Sequence, residues 1–181
     1  MEGHILLSMM DLGLQRHVDF PMMSLLTSGG HTELVLSRAF GEYERIGETR
    51  DDAAGEAFDK VARLLELPYP GGPEVSRLAQ QAREWNLPHH IAFTRPMMHD
   101  TSYDFSFSGL KTAVRTAVEQ RRPLGDEMRH IIAREFENTV SDVLVHKTMR
   151  AVEEFGVQTV VVGGGVSANT HIRRRFTDLV Q

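Results

Sequence analysis

The chain has 181 residues, with 25 acidic against 20 basic side chains, a net charge of −5 and no cysteine. This length allows one sizeable core or parts of two domains, and the charge excludes a surface that attracts nucleic acid everywhere. Without cysteine, disulfides and thiolate metal sites are excluded, which fits a reducing compartment such as the cytoplasm. No apolar run approaches the roughly 20 residues that span a bilayer, so we expect a soluble protein without a membrane partner.

The first part of the chain is predicted to form a short helix over residues 4–14 and then a β-hairpin. Pro21–Leu26 has the composition of a buried strand, and Glu33–Ser37 that of a returning strand. The turn Leu26–Thr32 holds adjacent glycines flanked by hydroxyl side chains. It indicates either a plain hairpin turn or a loop whose main-chain amides bind an anionic ligand. A third strand is expected at Phe40–Ile46.

Helical periodicity follows the hairpin. Asp51 or Asp52 is expected to cap a helix that runs through Leu67, because aspartate is a favoured N-cap and also complements the helix dipole. A second helix is predicted from Pro73 to about Trp85, with proline in the first turn.

The second half of the chain continues this alternation. Ser108-Gly109 leads into a helix that ends at Arg121-Arg122-Pro123, and the stretch Asp126–Phe155, without glycine or proline, predicts one long core-facing helix. A buried strand, Val157–Val162, and the triple glycine Gly163–Gly165 precede a last helix. This order of elements predicts an α/β domain that binds ligands at the glycine turns.

Several polar residues are candidates for ligand contact. Asp59 can pair with Arg63 one turn later or face a ligand. Asn169 follows the triple glycine, which is either a tight connection or an anion site, and its amide can donate and accept toward a ribose or base. Lys111 and Arg173–Arg175 are either solvated side chains or contacts to phosphate or RNA.

Four motifs occur in the order found in one protein family. They are Leu26–Thr32, Gly47–Lys60 running into Tyr69–Pro73, Asp104–Val114, and Gly163–Asn169. Together they make the chain resemble the TsaD family of tRNA adenosine threonylcarbamoyltransferases, formerly described as O-sialoglycoprotein endopeptidases. The resemblance covers essentially the whole chain.

This resemblance implies an actin-like ATPase fold of the sugar kinase and heat-shock chaperone type, of which the chain would hold an incomplete part. Residues 1–45 are expected to form the end of the first lobe with the glycine hairpin. Residues 46–181 are expected to form the helical, second-lobe portion of the nucleotide cleft. Because the family's amino-terminal region and the carboxy-terminal segment that carries its remaining metal ligand have no match here, we expect a fragment that lacks both ends and has impaired activity.

The resemblance also implies roles for individual residues. Asp59 would accept hydrogen bonds from ribose hydroxyls, Gly72 would let the nucleotide approach, and the glycine hairpin would embrace the phosphate and threonylcarbamoyl end. The implied substrate-binding set is Leu26, Thr27, Ser28, Gly29, Gly30, Asp59, Gly72 and Asn169. His4 matches one of two histidines that hold a divalent metal, iron or zinc, although a single histidine is otherwise typical of a surface. No catalytic base is identified.

The implied reaction moves a threonylcarbamoyl group from threonylcarbamoyl-adenylate to the exocyclic amine of the adenosine 3′ of the anticodon in tRNA. The implied partners are the adenylate or ATP and AMP, tRNA, a TsaB-like paralogue and a TsaE-like ATPase. Other interpretations remain open: another actin-like nucleotide-binding kinase, a metalloprotease with only Glu2 and His4 to serve it, or a noncatalytic module that docks a partner through Asp126–Phe155.

Overall fold

The computed structural model describes residues 18–180, which form a mixed α/β arrangement. Its strands are β1 (Met22–Thr27), β2 (Thr32–Ala39), β3 (Glu42–Glu48) and β4 (Thr159–Gly163). Its helices are α1 (Ala54–Leu64), α2 (Gly71–Glu84), α3 (Ser108–Glu119), α4 (Asp126–Phe155) and α5 (Thr170–Val180). A 3₁₀ turn over Gly165–Ala168 separates β4 from α5.

The four strands form one sheet in the order β3-β2-β1-β4. The apolar strands β1 and β2 pair antiparallel through the glycine turn, and β4 lies parallel to β1 with Leu26 opposite Gly163. Because β1 and β4 run in the same direction, the glycine turns that follow them meet at one edge of the sheet. That edge carries the candidate site described below.

The predicted hairpin, third strand, long helix and last strand are confirmed. The long helix has the predicted boundaries, and those of the strands differ by a few residues. The helix predicted over residues 4–14 and the metal ligand His4 lie outside the described residues. No helix within residues 18–180 combines the length and apolar character needed to cross a membrane. The division of the chain at residue 45 stays a prediction.

Helix α4 is the centre of the core. Phe136 meets Phe58 of α1 edge to face, with ring centroids 5.0 Å apart. The sequence predicts a single apolar stripe along this helix, but α4 is buried on several faces and also buries charged side chains. Buried Lys147 donates to the carbonyls of Ser102 and Asp104 at 3.0 and 2.6 Å. Burial lowers the pKa of Lys147, and these carbonyls replace the water it has lost.

Helices α1 and α2 depart from the predicted boundaries. Helix α1 ends at Leu64 and not at Leu67, because Glu66 takes a left-handed conformation with φ of 59°. The amide of Leu67 then donates back to the carbonyl of Ala62 at 2.9 Å, which closes the helix end. Helix α2 begins at Gly71, so Pro73 lies in its first turn but is not its first residue.

The predicted cap of α1 by Asp51 or Asp52 is wrong, because the helix begins after Ala53 and its first amide, that of Ala54, donates to the Thr32 hydroxyl at 2.9 Å. Asp51 instead caps the distant helix α3: its carboxylate accepts from the Phe107 amide at 2.8 Å and the Ser108 hydroxyl at 2.6 Å. Burial raises the pKa of Asp51, but hydrogen bonds from Ser106, Ser108 and Phe107 outweigh this effect and leave the pKa below its usual value. The carboxylate therefore holds the third motif against the end of β3.

Replacing Asp51 by alanine is expected to lower the free energy of unfolding by about 1 kcal/mol near pH 7, because solvent screens part of this exposed cap. Since the native pKa is depressed, the contribution is present above the unfolded-state pKa of about 3.9 and is lost as the pH falls below it. Urea titrations at neutral pH and below this pKa measure the difference. A difference of equal size at both pH values would contradict the cap.

The matched control is Asp52→Ala, because Asp52 pairs with Lys60 at 2.6 Å and does not touch α3. Hydrogen exchange at the first-turn amides of α3 should accelerate in D51A and stay unchanged in D52A.

Candidate functional site

A cleft of about 430 Å³ lies between the glycine turns at the sheet edge and helices α1 and α2. This volume is within the usual range of small-molecule sites. Its apolar lining includes Phe58, Pro70 and Val166, and its polar lining includes Asp59 and Asn169. The arrangement suits a flat apolar group that also carries hydrogen-bonding substituents.

The floor of the cleft is made of main chain packed against main chain. The Gly55 amide donates to the Ser28 carbonyl at 3.1 Å. A Cβ at Gly55 would lie 2.6 Å from that carbonyl oxygen, and a Cβ at Gly164 would lie 2.2 Å from the Thr27 oxygen. Gly164 also has a φ of 92°, which favours glycine. The turns after β1 and β4 therefore reach contact distance because side chains are missing there.

The structure places the five predicted hairpin residues differently from one another. Gly29 lines the cleft, whereas Leu26 and Thr27 are buried in β1, and the Thr27 hydroxyl donates to the Gly163 carbonyl at 3.2 Å. The Ser28 hydroxyl accepts from the amides of Gly30 and His31 at 3.3 and 3.0 Å. Of these five residues, only Gly29 is brought to the cleft wall, and the ligand contacts of all five stay predictions.

Asp59 lies in α1 and connects it to the first residue of α2. One carboxylate oxygen accepts from the Gly71 amide at 2.9 Å. The alternative ion pair with Arg63 is not formed within residues 18–180, and the second carboxylate oxygen has no protein donor there. Gly72 also lines the cleft, and a Cβ at that position would meet nothing within 4 Å. Asp59 thus presents a carboxylate oxygen that has no hydrogen-bond donor among the described residues, and Gly72 in the same lining leaves space for a ligand.

Asn169 also lines the cleft and immediately precedes α5. Its Oδ1 accepts from the Ile172 amide at 3.0 Å, and its Nδ2 donates at 2.6 Å to both the Ser76 hydroxyl and the Glu137 carboxylate. Glu137 is 1% exposed and its other oxygen accepts from Arg83 at 2.6 Å. The side-chain amide of Asn169 is therefore held by hydrogen bonds at both its nitrogen and its oxygen.

Glu137 and the cleft-facing residues of α2 are not predicted from the sequence. Pro73, Ser76, Arg77 and Gln80 line the cleft at spacings of three and four residues. This polar spacing, opposite the buried apolar residues of the same helix, was a signal available in the sequence. Glu137 gave a weaker signal, as a carboxylate beside the core residue Phe136.

His171 lies beside the buried Glu137–Arg83 pair. Burial, with a further contribution from the positive charge of Arg83, lowers the pKa of His171 below its usual value. Its Nε2 is buried and has no hydrogen-bond partner among the described residues. The imidazole is neutral near pH 7, so Arg83 supplies the compensating charge for Glu137.

The remaining basic candidates lie outside the cleft lining. Arg175 pairs with Asp142 at 2.8 Å, and Arg174 lies 3.8 Å from Asp178. Arg173 is exposed, and Lys111 is half-buried in the first turn of α3. A contact of these residues with phosphate or RNA stays a prediction.

Residues 18–180 contain no group of three or more histidine, aspartate or glutamate side chains arranged to hold a metal. The residues described therefore do not fit the implied iron or zinc, and no step of the chemistry is assigned to it. The predicted ligand His4 lies outside them, so the metal stays a prediction.

The contact between Gly55 and Ser28 can be tested by substitution. Gly55→Ala is expected to lower the free energy of unfolding by about 1–3 kcal/mol, because its methyl group must displace the Ser28 carbonyl. Gly109 holds the same second position in α3, and a Cβ there meets nothing within 4 Å. Gly109→Ala should therefore be neutral or stabilising, and urea titration compares the two. Equal effects would show that the Gly55 contact is not tight.

Residues 1–181 match the family profile described as TsaD, tRNA N6-adenosine threonylcarbamoyltransferase. A relative of that name from Neisseria meningitidis serogroup A is 45% identical, with 99% of this chain and 50% of the relative covered. Relatives of the same name from Chromobacterium violaceum and Geobacter metallireducens are 46% and 49% identical, with 98% and 96% of this chain and 51% and 49% of the relatives covered. The chain spans about half the length of the curated relatives it matches. Because the profile covers every residue, the chain belongs to the TsaD family of tRNA N6-adenosine threonylcarbamoyltransferases.

Proposed function

We propose that this chain forms the nucleotide-binding part of an enzyme that transfers a threonylcarbamoyl group from threonylcarbamoyl-adenylate to tRNA. The acceptor is the exocyclic amine of the adenosine 3′ of the anticodon. The observation that carries the proposal is the cleft, which is lined by glycine turns together with Asp59 and Asn169, in a chain that belongs to the TsaD family.

The groups that line the cleft complement different parts of an adenylate. Asp59 and Asn169 offer carboxylate and carbonyl oxygens, which accept hydrogen bonds from ribose hydroxyls or an amine. Gly29 and Gly165 are exposed and offer main chain to the phosphate. Phe58 and Val166 provide an apolar surface for a base.

The proposed reaction needs little covalent help from the protein. The mixed anhydride of the adenylate is already activated, so the amine nitrogen attacks the carbonyl carbon, the bond to the phosphate oxygen breaks, and AMP leaves while the amine loses a proton. The protein must hold both reactants in line and stabilise the charge on AMP. We expect the exposed main chain of Gly29 and Gly165, which line the cleft, to contact such an anion.

Further parts of the proposal rest on family membership. We expect an actin-like ATPase fold, with the lobe boundary near residue 45, a cytoplasmic location, and help from a TsaB-like paralogue and a TsaE-like ATPase. The net charge of −5 means that tRNA must be recognised by local basic surfaces, by shape, or by those partners.

The impaired transfer predicted for this chain is tested with preformed adenylate and substrate tRNA, where robust modification would contradict it.

The nucleotide proposal is tested by titrating the chain with AMP in a calorimeter. Asp59→Asn keeps one acceptor for the Gly71 amide but removes the charge and one acceptor facing the cleft, so AMP affinity should fall by about tenfold. The control is Glu56→Gln. Glu56 lies on the same helix but outside the cleft lining, so this variant should keep the native AMP affinity.

The result also separates the alternatives. A chain that binds a partner protein but neither AMP nor ATP would support the noncatalytic module and overturn the proposal. Equal AMP affinity in D59N and E56Q would show that nucleotide binds without Asp59.

A further inference from the structure

Glu137 is a buried carboxylate that touches the cleft only through other residues. It is 1% exposed and is absent from the cleft lining. One oxygen accepts from Ser76 at 2.7 Å and Asn169 at 2.6 Å, both of which line the cleft, and the other accepts from Arg83 at 2.6 Å. A carboxylate buried this deeply is tolerated because every contact is a hydrogen-bond donor and one is a cation.

These contacts fix the direction of the Asn169 amide. Its NH₂ group faces the carboxylate of Glu137, and its Oδ1 faces the amide of Ile172. A flipped amide would set Oδ1 against the carboxylate and the NH₂ group against another donor. The flipped state is therefore strongly disfavoured, and the lone pair left on Oδ1 is an acceptor.

We propose that Glu137 is a positioning residue, which acts through Asn169 and Ser76 to make this wall of the cleft accept hydrogen bonds. The inference rests on the proposed nucleotide site and adds a selectivity to it. At this wall, Asn169 favours ligand groups that donate, such as ribose hydroxyls or an amine, over groups that only accept.

The same helix carries a matched control. Glu135 is 6% exposed and pairs with Arg95 at 2.9 Å, but neither residue lines the cleft. Glu135→Gln and Glu137→Gln thus remove the charge of a buried carboxylate that has an arginine partner. A purely structural role of Glu137 predicts similar effects on AMP binding in both variants.

The first test is AMP binding by calorimetry, below the unfolding temperature of each variant. In E137Q the new NH₂ group must face either Arg83 or the donors Asn169 and Ser76, so one set of contacts is lost. We expect AMP affinity to fall by about tenfold in E137Q and to stay native in E135Q. If E137Q does not fold, Glu137→Asp keeps the charge but shortens the reach, and its AMP affinity should also fall.

The second test exchanges the two groups. Asn169→Asp alone sets two carboxylates together and should weaken AMP binding by more than about tenfold. In the double variant E137Q/N169D, the amide oxygen introduced at position 137 can accept from Arg83, while the NH₂ group beside it donates to the carboxylate introduced at position 169. That carboxylate again accepts from the Ile172 amide through its other oxygen. AMP affinity should then recover to within about threefold of the native value.

The outcomes separate the two proposals. Native AMP affinity in E137Q, equal losses in E137Q and E135Q, or no recovery in the double variant would overturn the positioning role and leave the nucleotide site standing. A lack of AMP binding by the unaltered chain would overturn the proposed function, and the positioning role with it.

Discussion

The site depends on the approach of two glycine turns at the edge of the sheet. The parallel pairing of β1 and β4 brings Gly164 against Thr27, and the first turn of α1 brings Gly55 against Ser28. A side chain at either glycine would collide with a main-chain oxygen, which cannot move aside without displacing a strand or a helix. The cleft floor is therefore set by backbone packing, and the residues around it are placed relative to that floor.

Helix α4 connects the core to the site. Phe136 packs on Phe58, which lines the cleft, and the next residue, Glu137, holds Asn169. Adjacent residues of one helix thus stabilise the apolar wall and orient the polar wall. Farther along, Lys147 fastens the segment that leads into α3 through two main-chain carbonyls. The buried charged side chains of α4 thus form hydrogen bonds to loops and helix ends. Hydrophobic packing alone would not fix the positions of these segments.

Local patterns in the sequence predicted what depends on local structure. The hairpin strands and the long helix each follow from the apolar residues of a single continuous segment. The cap by Asp51 did not follow, because its helix begins 57 residues later in the chain, at Ser108. Glu137 was missed for the same reason, since its contact with Ser76 spans 61 residues and its contact with Asn169 spans 32 residues. Hydrogen bonds between side chains that are distant in the sequence cannot be predicted from the local spacing of residues.

The hydrogen-bonding groups in the lining of the cleft limit the kinds of ligand that can bind there. The lining presents the acceptors Asp59 and Asn169 together with the exposed main chain of Gly29 and Gly165. A ligand that complements this lining donates hydrogen bonds to the acceptors. A fully anionic ligand such as a polyphosphate would meet repulsion at Asp59, and a purely apolar ligand would leave these polar groups without hydrogen bonds. A nucleoside monophosphate combines hydroxyl donors with a single anionic group and so avoids both of these costs.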